Sequence, residues 1–405
     1  MSVSSTKGKL EVLQRHYESL GSYSVDSAFD EDWKEEVDAR VRECSGVSVG
    51  YVDSVLDRDI EMSEIARCVR KLKNNKTGGS DGLVGELLKY GGPGMIELLH
   101  RLFRVVWLKE LVPPKWREGL IVNLFKKGDK EDPGNYRGIT LLSVVGKIFC
   151  KILNDRLVAS LEENQALHEG QAGFRTKRSC VDNIYTLNEI VQGRLREGKK
   201  TYTFFLDVQK AYDTVWRNGL WVKLWDMGVR GRMWRVIKGM YDCTRSAVLL
   251  DGEHSQVFDI HQGVAQGCSL SPILFSVFIN GLLEEVEKAE LGIVLGNGGK
   301  IGGLLFADDF VGVSDSGESL QKLIDVVHAY CCKWRLKGNV RKSAVMVCAT
   351  ESVGVWKWGE CNLPTVSKYT YLGVDFMSNG AWNEHLKRVV DMVEINYTVF
   401  LVTGI

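Results

Sequence analysis

Apolar residues recur at helical spacing along several long segments of this chain. In residues 318–336 they fall on one face, formed by Leu320, Leu323, Ile324, Val327 and Cys331. A recurrence at every third or fourth position predicts an amphipathic helix. The same period predicts further helices at about residues 63–72, 95–110, 141–163, 177–197, 215–241 and 271–288, and a short one that ends at Tyr90. Ser63 is the predicted N-cap of the first of these.

Shorter apolar runs, bounded by glycine, proline and polar residues, predict strands. They cover about residues 120–125, 201–208, 343–348 and 369–376, with hairpins at about 246–262 and 303–313. Strands and helices mix without a regular βα alternation. This order predicts an α+β fold and not a doubly wound sheet.

Composition narrows the class of protein. With 405 residues and 44% hydrophobic content, the chain can bury the cores of two or three domains, or of one larger unit. The 52 lysines and arginines equal the 52 aspartates and glutamates. A net charge of zero argues against a protein that coats nucleic acid by bulk charge, although a local basic channel stays open.

Cysteine usage and the apolar runs bear on the compartment. The ten cysteines form no C-x-x-C pair, and together with the seven dispersed histidines they show no zinc-finger spacing. Free thiols suit a reducing intracellular compartment, the nucleus or the cytoplasm. Residues 1–10 are polar and no run is long enough for a membrane span, so we expect no signal peptide and no membrane association.

Two adjacent carboxylates, Asp308 and Asp309, lie in the predicted hairpin 303–313, with apolar residues on both sides. Like charges repel, and a divalent metal neutralises them because Mg²⁺ prefers hard carboxylate oxygens. A solvated turn is the alternative. Asp207 lies near the end of the strand 201–208, where it is either a helix cap or a third carboxylate of the same site. Two neighbouring strands that end in carboxylates form the minimal frame for two metal ions.

Three further features carry chemistry. Tyr212, five positions after Asp207, would pack beside such a site and exclude a sugar 2′-hydroxyl; a core tyrosine is the alternative. A loop with Gln266 and Gly267 opens a helix, whose N-terminus favours phosphate or ribose contacts. Basic side chains near the helix 141–163 would suit a nucleoside triphosphate, or form a solvated face. They are Lys126, Lys127, Lys130, Arg137, Arg175, Lys177 and Arg178.

Several motifs follow one another in a specific order. The acidic ones are Asp207-x-x-Lys210-Ala211-Tyr212-Asp213 and Phe306-Ala307-Asp308-Asp309, and the others lie at 136–142, 171–175 and 263–272. Together they resemble the successive motifs of reverse transcriptases from non-long-terminal-repeat (LINE-type) retrotransposons. Residues 336–342 and 371–373 resemble the two motifs that close that domain. The resemblance covers about residues 60–376.

This resemblance implies a right-hand polymerase fold, with fingers, a palm built on a small antiparallel sheet, and a thumb. Residues 1–58 are then an N-terminal extension, partly ordered, and 59–103 a helical lead-in to the fingers. Residues 104–376 are the fingers and palm, and 377–405 the start of a truncated thumb. A shortened thumb predicts a weak grip on nucleic acid and low autonomous activity.

The resemblance also implies a role for each matching residue. Asp207, Asp308 and Asp309 are expected to bind two Mg²⁺ ions, for which Mn²⁺ can substitute. The carbonyl of Val208 is a further ligand. Tyr212 matches the aromatic residue that selects deoxynucleotides. Gln266 and Gly267 match residues that contact the incoming nucleotide, and Lys126 or Lys127 together with Arg137 match those that bind its triphosphate. Lys342 matches a lysine that protonates the departing pyrophosphate. Residues 371–373 match the segment that contacts the primer.

The implied reaction is RNA-templated DNA synthesis, in which a primer 3′-hydroxyl attacks the α-phosphorus of a deoxynucleoside triphosphate. The implied partners are an RNA template, a DNA primer or RNA–DNA hybrid, and deoxynucleoside triphosphates; the oligomeric state stays open. An intron-maturase or telomerase-like polymerase is the alternative enzyme, and a domesticated or degenerate RNA-binding scaffold is the non-catalytic alternative. The LINE-like motif at 207–213 argues against the first, and the intact carboxylates argue against the second.

Some positions depart from the pattern of the family. Gly138 stands where proline is common, Gly338 where an apolar residue is usual, and Cys180 where threonine is frequent. None of them is expected to touch the metal site. We also expect neither an endonuclease nor a zinc knuckle within these residues.

Overall fold

The computed structural model describes residues 5–48, 50, 53, 55–296, 298–349 and 354–403, with side chains up to residue 393. The helices are, in chain order, α1 (Thr6–Gly21), α2 (Glu31–Ser48), α3 (Met62–Arg70), α4 (Gly85–Lys89), α5 (Gly92–Lys109), α6 (Val144–Glu163), α7 (Cys180–Arg196), α8 (Arg217–Asp226), α9 (Gly231–Tyr241), α10 (Ser271–Lys288), α11 (Gly317–Lys333) and α12 (Asn383–Thr403). Within these described ranges, no helix has both the length and the apolar character needed to cross a membrane.

The strands are short. They are, in chain order, β1 (Glu118–Phe125), β2 (Tyr136–Leu141), β3 (Thr201–Leu206), β4 (Thr244–Leu250), β5 (Glu253–His254), β6 (Phe258–Ile260), β7 (Ile293–Val294), β8 (Lys300–Ile301), β9 (Gly303–Phe306), β10 (Asp309–Ser314), β11 (Ala344–Cys348), β12 (Trp356–Trp358), β13 (Cys361–Leu363), β14 (Lys368–Tyr371) and β15 (Val374–Met377). The fold is therefore a mixed α and β structure with small sheets, in line with the order of the predicted elements.

The chain forms two compact units, each assembled from separate segments. The first comprises Met1–Leu167, Lys210–Phe278 and Lys333–Leu336, and the second comprises His168–Gln209, Ile279–Cys332 and Lys337–Ile405. The chain passes from one unit to the other several times. The linear boundaries expected at residues 58, 103 and 376 stay a prediction.

The sheet of the first unit has the strand order β2-β1-β4-β5, and β6 also pairs with β4. Strand β1 is antiparallel to β2, with Leu124 opposite Arg137, and parallel to β4. Helix α1 covers this sheet through an apolar cluster, formed by Leu10, Tyr17, Ile121, Val248 and Phe258. Tertiary packing of this kind stabilises a helix whose own periodicity is weak.

Residues 1–58 hold more regular structure than their pattern predicts. Helix α2 is attached to the rest of the first unit by polar contacts: Asn218 Nδ2 donates to Asp38 Oδ1 (2.7 Å), and Ser48 Oγ donates to the carbonyl of Gly231 (3.0 Å). The partners come from distant parts of the chain, which explains why a local pattern suggests only partial order.

The sheet of the second unit has the order β11-β3-β10-β9, and every neighbouring pair is antiparallel. One face carries Phe205 and Val311, which pack with Leu187 and Ile190 of α7. On the other face, the ring of Phe204 lies 5.8 Å from that of Trp358 and 6.5 Å from that of Phe310. The sheet is therefore buried on both sides, which explains the nearly continuous apolar character of its strands.

Most predicted helices and strands are present with shifted ends. The predicted N-cap Ser63 is wrong: Glu61 is the N-cap of α3, which starts at Met62 because Glu61 and Glu64 cap it reciprocally. Helix α5 starts at Gly92, three residues before the predicted start at about residue 95, since Pro93 suits a first helical turn. Strand β2 and the pair β12–β13 are absent from the predicted strands.

A buried ion pair joins α6 to α3. Arg156 Nη2 lies 2.7 Å from Glu64 Oε2, Arg156 Nε lies 2.9 Å from Glu64 Oε1, and the two side chains are only 3% and 4% exposed. Arg156 also donates to the carbonyls of Arg58 (2.6 Å) and Asp59 (2.8 Å). Burial alone would raise the pKa of Glu64, but the hydrogen bonds and charge of Arg156 hold it below its usual value.

We expect Arg156→Met to lower the free energy of unfolding by about 3–5 kcal/mol, because the buried Glu64 carboxylate loses the guanidinium that contacts both of its oxygens. It keeps only the partly exposed Arg58 at 3.3 Å and the N–H of Glu61 at 3.0 Å. The matched change Arg101→Met removes a pair with Glu97 whose side chains are 75% and 54% exposed, and should cost about 1 kcal/mol or less. Urea unfolding followed by circular dichroism measures both.

Because the pKa of Glu64 is lowered, the contribution of Arg156 to stability is present at neutral pH and is lost as the pH falls through the folded-state pKa of Glu64. Equal costs for the two variants at pH 7 would contradict this role.

Candidate active site

The carboxylates predicted to bind metal lie at one end of the sheet of the second unit. Strand β3 ends at Leu206, which lies opposite Phe310 of β10. Continuing this antiparallel register by one residue places Asp207 opposite Asp309. Asp308 lies in the turn between β9 and β10. The three aspartates therefore come together at the ends of neighbouring strands.

Their charges act on one another. The pKa of Asp309 is raised to about 6, first by burial and then by the charges of Asp308 and Asp207. The Asp309 side chain keeps an exposed surface, so the repulsion from the two like charges acts on it together with partial burial. The pKa of Tyr369 is raised to about 12, first by burial and then by the negative charges of Asp207 and Asp309. Negative charge is thus concentrated at this end of the sheet, where a cation would relieve the repulsion.

The backbone of Asp207 is held by the turn that contains Lys342. The Asn339 N–H donates to the carbonyl of Asp207 (2.7 Å), and the Asp207 N–H donates to Ser343 Oγ (3.1 Å). Val208 forms a β-bridge with Gly338. The expectation that no departure from the family pattern touches the predicted metal site is therefore wrong for Gly338, which pairs with a predicted ligand. The structure therefore places the backbone of Lys342 in the segment that fixes Asp207, as the closing motif of the resemblance suggests.

Two of the three departures from the family pattern have a packing reason. A Cβ atom on Gly138 would lie 2.6 Å from Cε1 of Tyr17, and a Cβ atom on Gly338 would lie 2.6 Å from Cζ2 of Trp358. Each glycine makes room for an aromatic ring. The structure offers no reason for Cys180.

In the first unit, Gln266 lies against Asp213. Gln266 Nε2 is 3.0 Å and 2.9 Å from the two carboxylate oxygens of Asp213. Burial raises the pKa of Asp213, although the Gln266 hydrogen bond opposes this shift. Nearby positive charges oppose it as well, and they belong to Lys210, Lys126 and Arg137. The predicted nucleotide contacts Gln266, Lys126 and Arg137 therefore share one charged cluster, in which Asp213 and Lys210 are members that the sequence reading assigned no role.

Gly267, Tyr212 and Lys127 also belong to the first unit, whereas Arg175, Lys177 and Arg178 of the predicted basic set belong to the second. Gly267 has φ +126°, and a Cβ atom there would lie 2.6 Å from the carbonyl oxygen of Thr140. The glycine loop can therefore approach strand β2 closely. Tyr212 is half-buried and stacks on Phe275, with the ring centroids 5.1 Å apart. Lys127 is exposed.

The donor set at the end of the second sheet suits Mg²⁺. Carboxylate and carbonyl oxygens are the hard ligands that this ion prefers, and it usually recruits substrate phosphates and water. Within the part of the chain that the structure describes, no three His, Cys, Asp or Glu side chains are already arranged as a metal shell. The aspartates therefore fit the ion by the chemistry of their oxygens.

Comparisons with known proteins identify a family and several relatives. Residues 125–376 match the family model described as reverse transcriptase (RNA-dependent DNA polymerase). The probable RNA-directed DNA polymerase from transposon BS of Drosophila melanogaster is 26% identical, over 71% of this chain and 32% of its own length. The RNA-directed DNA polymerase from mobile element jockey of Drosophila funebris is 25% identical, over 81% of this chain and 36% of its own length.

A third relative is the retrovirus-related Pol polyprotein from type-1 retrotransposable element R2 of Popillia japonica. It is 29% identical, over 80% of this chain and 46% of its own length. The chain thus spans about a third to a half of the length of these curated relatives.

We expect Asp309→Asn to raise the melting temperature in metal-free buffer above pH 6, by roughly 1–3 °C once solvent screening of the exposed side chain is allowed for. The raised pKa of Asp309 means that the folded state binds a proton more tightly than the unfolded state. Stability therefore falls as the pH rises from about 4 to about 6 and stays lower above that window.

Melting curves between pH 4 and pH 8 test this. The gain of Asp309→Asn should shrink towards pH 4, and the control Asp315→Asn, an exposed position just after β10, should show no such trend. A gain for Asp309→Asn that is constant across the pH range would contradict the charge cluster.

Proposed function

Because this chain belongs to the reverse transcriptase (RNA-dependent DNA polymerase) family, we propose that it catalyses RNA-templated DNA synthesis as part of a LINE-type retrotransposon. The observation that carries the proposal is the meeting of Asp207, Asp308 and Asp309 at the ends of β3 and β10. Relatives named as RNA-directed DNA polymerases of mobile elements support it.

In phosphoryl transfer the protein contributes mainly positioning and charge neutralisation, and little covalent chemistry. Asp207, Asp308 and Asp309 would hold two Mg²⁺ ions, or Mn²⁺ in their place, with the Val208 carbonyl as a further ligand. Bound ions would neutralise the developing charge and orient the phosphates. The turn that contains Lys342 keeps the Asp207 backbone in place through the hydrogen bonds described above.

The charged cluster of the first unit is the proposed site for the incoming deoxynucleoside triphosphate. Lys126 or Lys127 and Arg137 would bind its phosphates. Asp213 holds the Nε2 group of Gln266, which leaves the amide oxygen to accept from the nucleotide. In this cluster Gly267 allows close approach of the backbone, and Tyr212 excludes the 2′-hydroxyl. Lys342, a residue of the second unit, is the proposed proton donor to the departing pyrophosphate.

The fold is proposed to correspond to a right hand. The β1–β2 hairpin would belong to the fingers, the sheet β11-β3-β10-β9 to the palm, residues 371–373 to the primer contact, and α12 to the start of the thumb. An RNA template and a DNA primer, or their hybrid, would be bound mainly through shape and backbone contacts. Such binding weakens as salt rises. The nucleus or the cytoplasm is the proposed compartment.

We expect Asp308→Asn to lower nucleotide incorporation by about 100-fold or more, because it removes one of the negative charges proposed to bind the metal ions. The assay is primer extension on an RNA template with deoxynucleoside triphosphates and Mg²⁺. The control Asp315→Asn makes the same chemical change at an exposed position after β10 and should leave incorporation unchanged. Full activity of Asp308→Asn would remove the proposed metal role.

We expect Tyr212→Ala to raise incorporation of ribonucleotides relative to deoxynucleotides by about tenfold or more, since truncation opens the space beside the sugar. Single-nucleotide extension with each substrate gives the ratio of kcat/KM values. Tyr90→Ala, at an exposed tyrosine, is the matched control and should keep the ratio of the wild-type protein. An unchanged ratio in Tyr212→Ala would withdraw the role of this ring in sugar selection.

A further inference from the structure

The turn that carries Asp308 has an unusual backbone. Ala307, the residue between β9 and Asp308, has φ +58°, in the left-handed region. Residues other than glycine adopt this region rarely, and they keep it only where the surroundings impose it. The direction of the Asp308 carboxylate therefore depends on what holds Ala307.

The side chain that holds Ala307 belongs to Gln171, in a motif that the proposed reaction leaves without a role. Gln171 is 0% exposed. Its Oε1 accepts from the N–H of Ala307 (3.1 Å) and from the N–H of Gly173 (2.8 Å), and its Nε2 makes a longer contact with the carbonyl of Ala307 (3.4 Å). The side-chain amide of Gln171 thus pairs with the N–H and the carbonyl of Ala307, as a backbone peptide group of a neighbouring strand would.

The backbone around Gln171 lies along strand β9. The Ala172 N–H donates to the carbonyl of Leu305 (2.9 Å), and the Leu305 N–H donates to the carbonyl of Gly170 (2.8 Å). Gly173 comes so close to the turn that a Cβ atom on it would lie 2.2 Å from the nitrogen of Ala307. This short parallel pairing sets the distance at which the Gln171 amide reaches Ala307.

We propose that Gln171 is a positioning residue, which fixes the Ala307 turn and thereby aims the Asp308 carboxylate; its catalytic importance rests on the proposed function. Without the amide, the buried N–H of Ala307 loses its acceptor, and a buried donor without a partner is unfavourable. A change in the turn is the simplest relief. A displacement of this kind matters because a reactive group needs its supporting contacts to hold it within a fraction of an ångström.

Hydrogen exchange of the free protein tests the structural part of the inference. Gln171→Met keeps the length of the side chain and removes the acceptor, and it should speed exchange in the segment 304–310 by about tenfold or more. The matched control Gln192→Met removes a hydrogen bond to the carbonyl of Gly380 (2.7 Å) and should leave that segment unchanged. Wild-type exchange rates in Gln171→Met, or equal acceleration in the control, would overturn the inference. Gln171→Asn, whose amide has a shorter reach, repeats the test if Gln171→Met does not fold.

Kinetics test the catalytic part. Gln171→Met should lower kcat by about 10- to 100-fold with little change in the KM for deoxynucleotides, because misplacement by about 1 Å costs rate more than binding. It should also raise the Mg²⁺ concentration for half-maximal activity, whereas Gln192→Met should change neither quantity.

The two proposals fail in different ways. An active wild-type protein with an equally active Gln171→Met overturns the positioning role and leaves the polymerase function intact. An inactive wild-type protein in which Gln171→Met still speeds exchange at 304–310 removes the polymerase function, while the hold of Gln171 on the turn is supported.

Discussion

Strands β3 and β10 pair so that Leu206 lies opposite Phe310, and this register decides where the carboxylates of the second unit lie. A slip by one residue would turn every side chain of one strand to the opposite face. A slip of β3 would take Phe205 out of the cluster with α7, and a slip of β10 would take Val311 out of it. Apolar burial on both faces therefore holds the register, and the register keeps Asp207 beside Asp309 in spite of their repulsion.

This arrangement stores an electrostatic cost where the chemistry is proposed to occur. Asp309 has a raised pKa beside two further aspartates, and in the first unit Asp213 has a raised pKa within its cluster of cations. Perturbed groups of this kind concentrate at functional sites, where stability is given up for activity. In the proposed function a bound metal ion would offset the repulsion among the aspartates.

Side-chain amides satisfy polar groups that the helices and strands leave without a hydrogen bond, and glycines make room for aromatic rings. Gln171 supplies hydrogen bonds to a turn with a left-handed residue, and Gln266 satisfies the carboxylate of Asp213. Gly138 and Gly338 admit the rings of Tyr17 and Trp358. These two departures from the family pattern thus concern packing within each unit and leave the carboxylates unchanged.

The sequence by itself determined the family, the aspartates of the candidate site and most helices and strands, because periodicity and motif order depend on neighbours in the chain. Only the tertiary structure decided that α1 lies on the first sheet, that Gln171 holds Ala307 across 136 positions, and that Asp213 pairs with Gln266 across 53. Hydrogen bonds and apolar contacts act over a few ångströms with strict geometry. A partner far away along the chain therefore becomes known only when the core has packed and brought the two segments together.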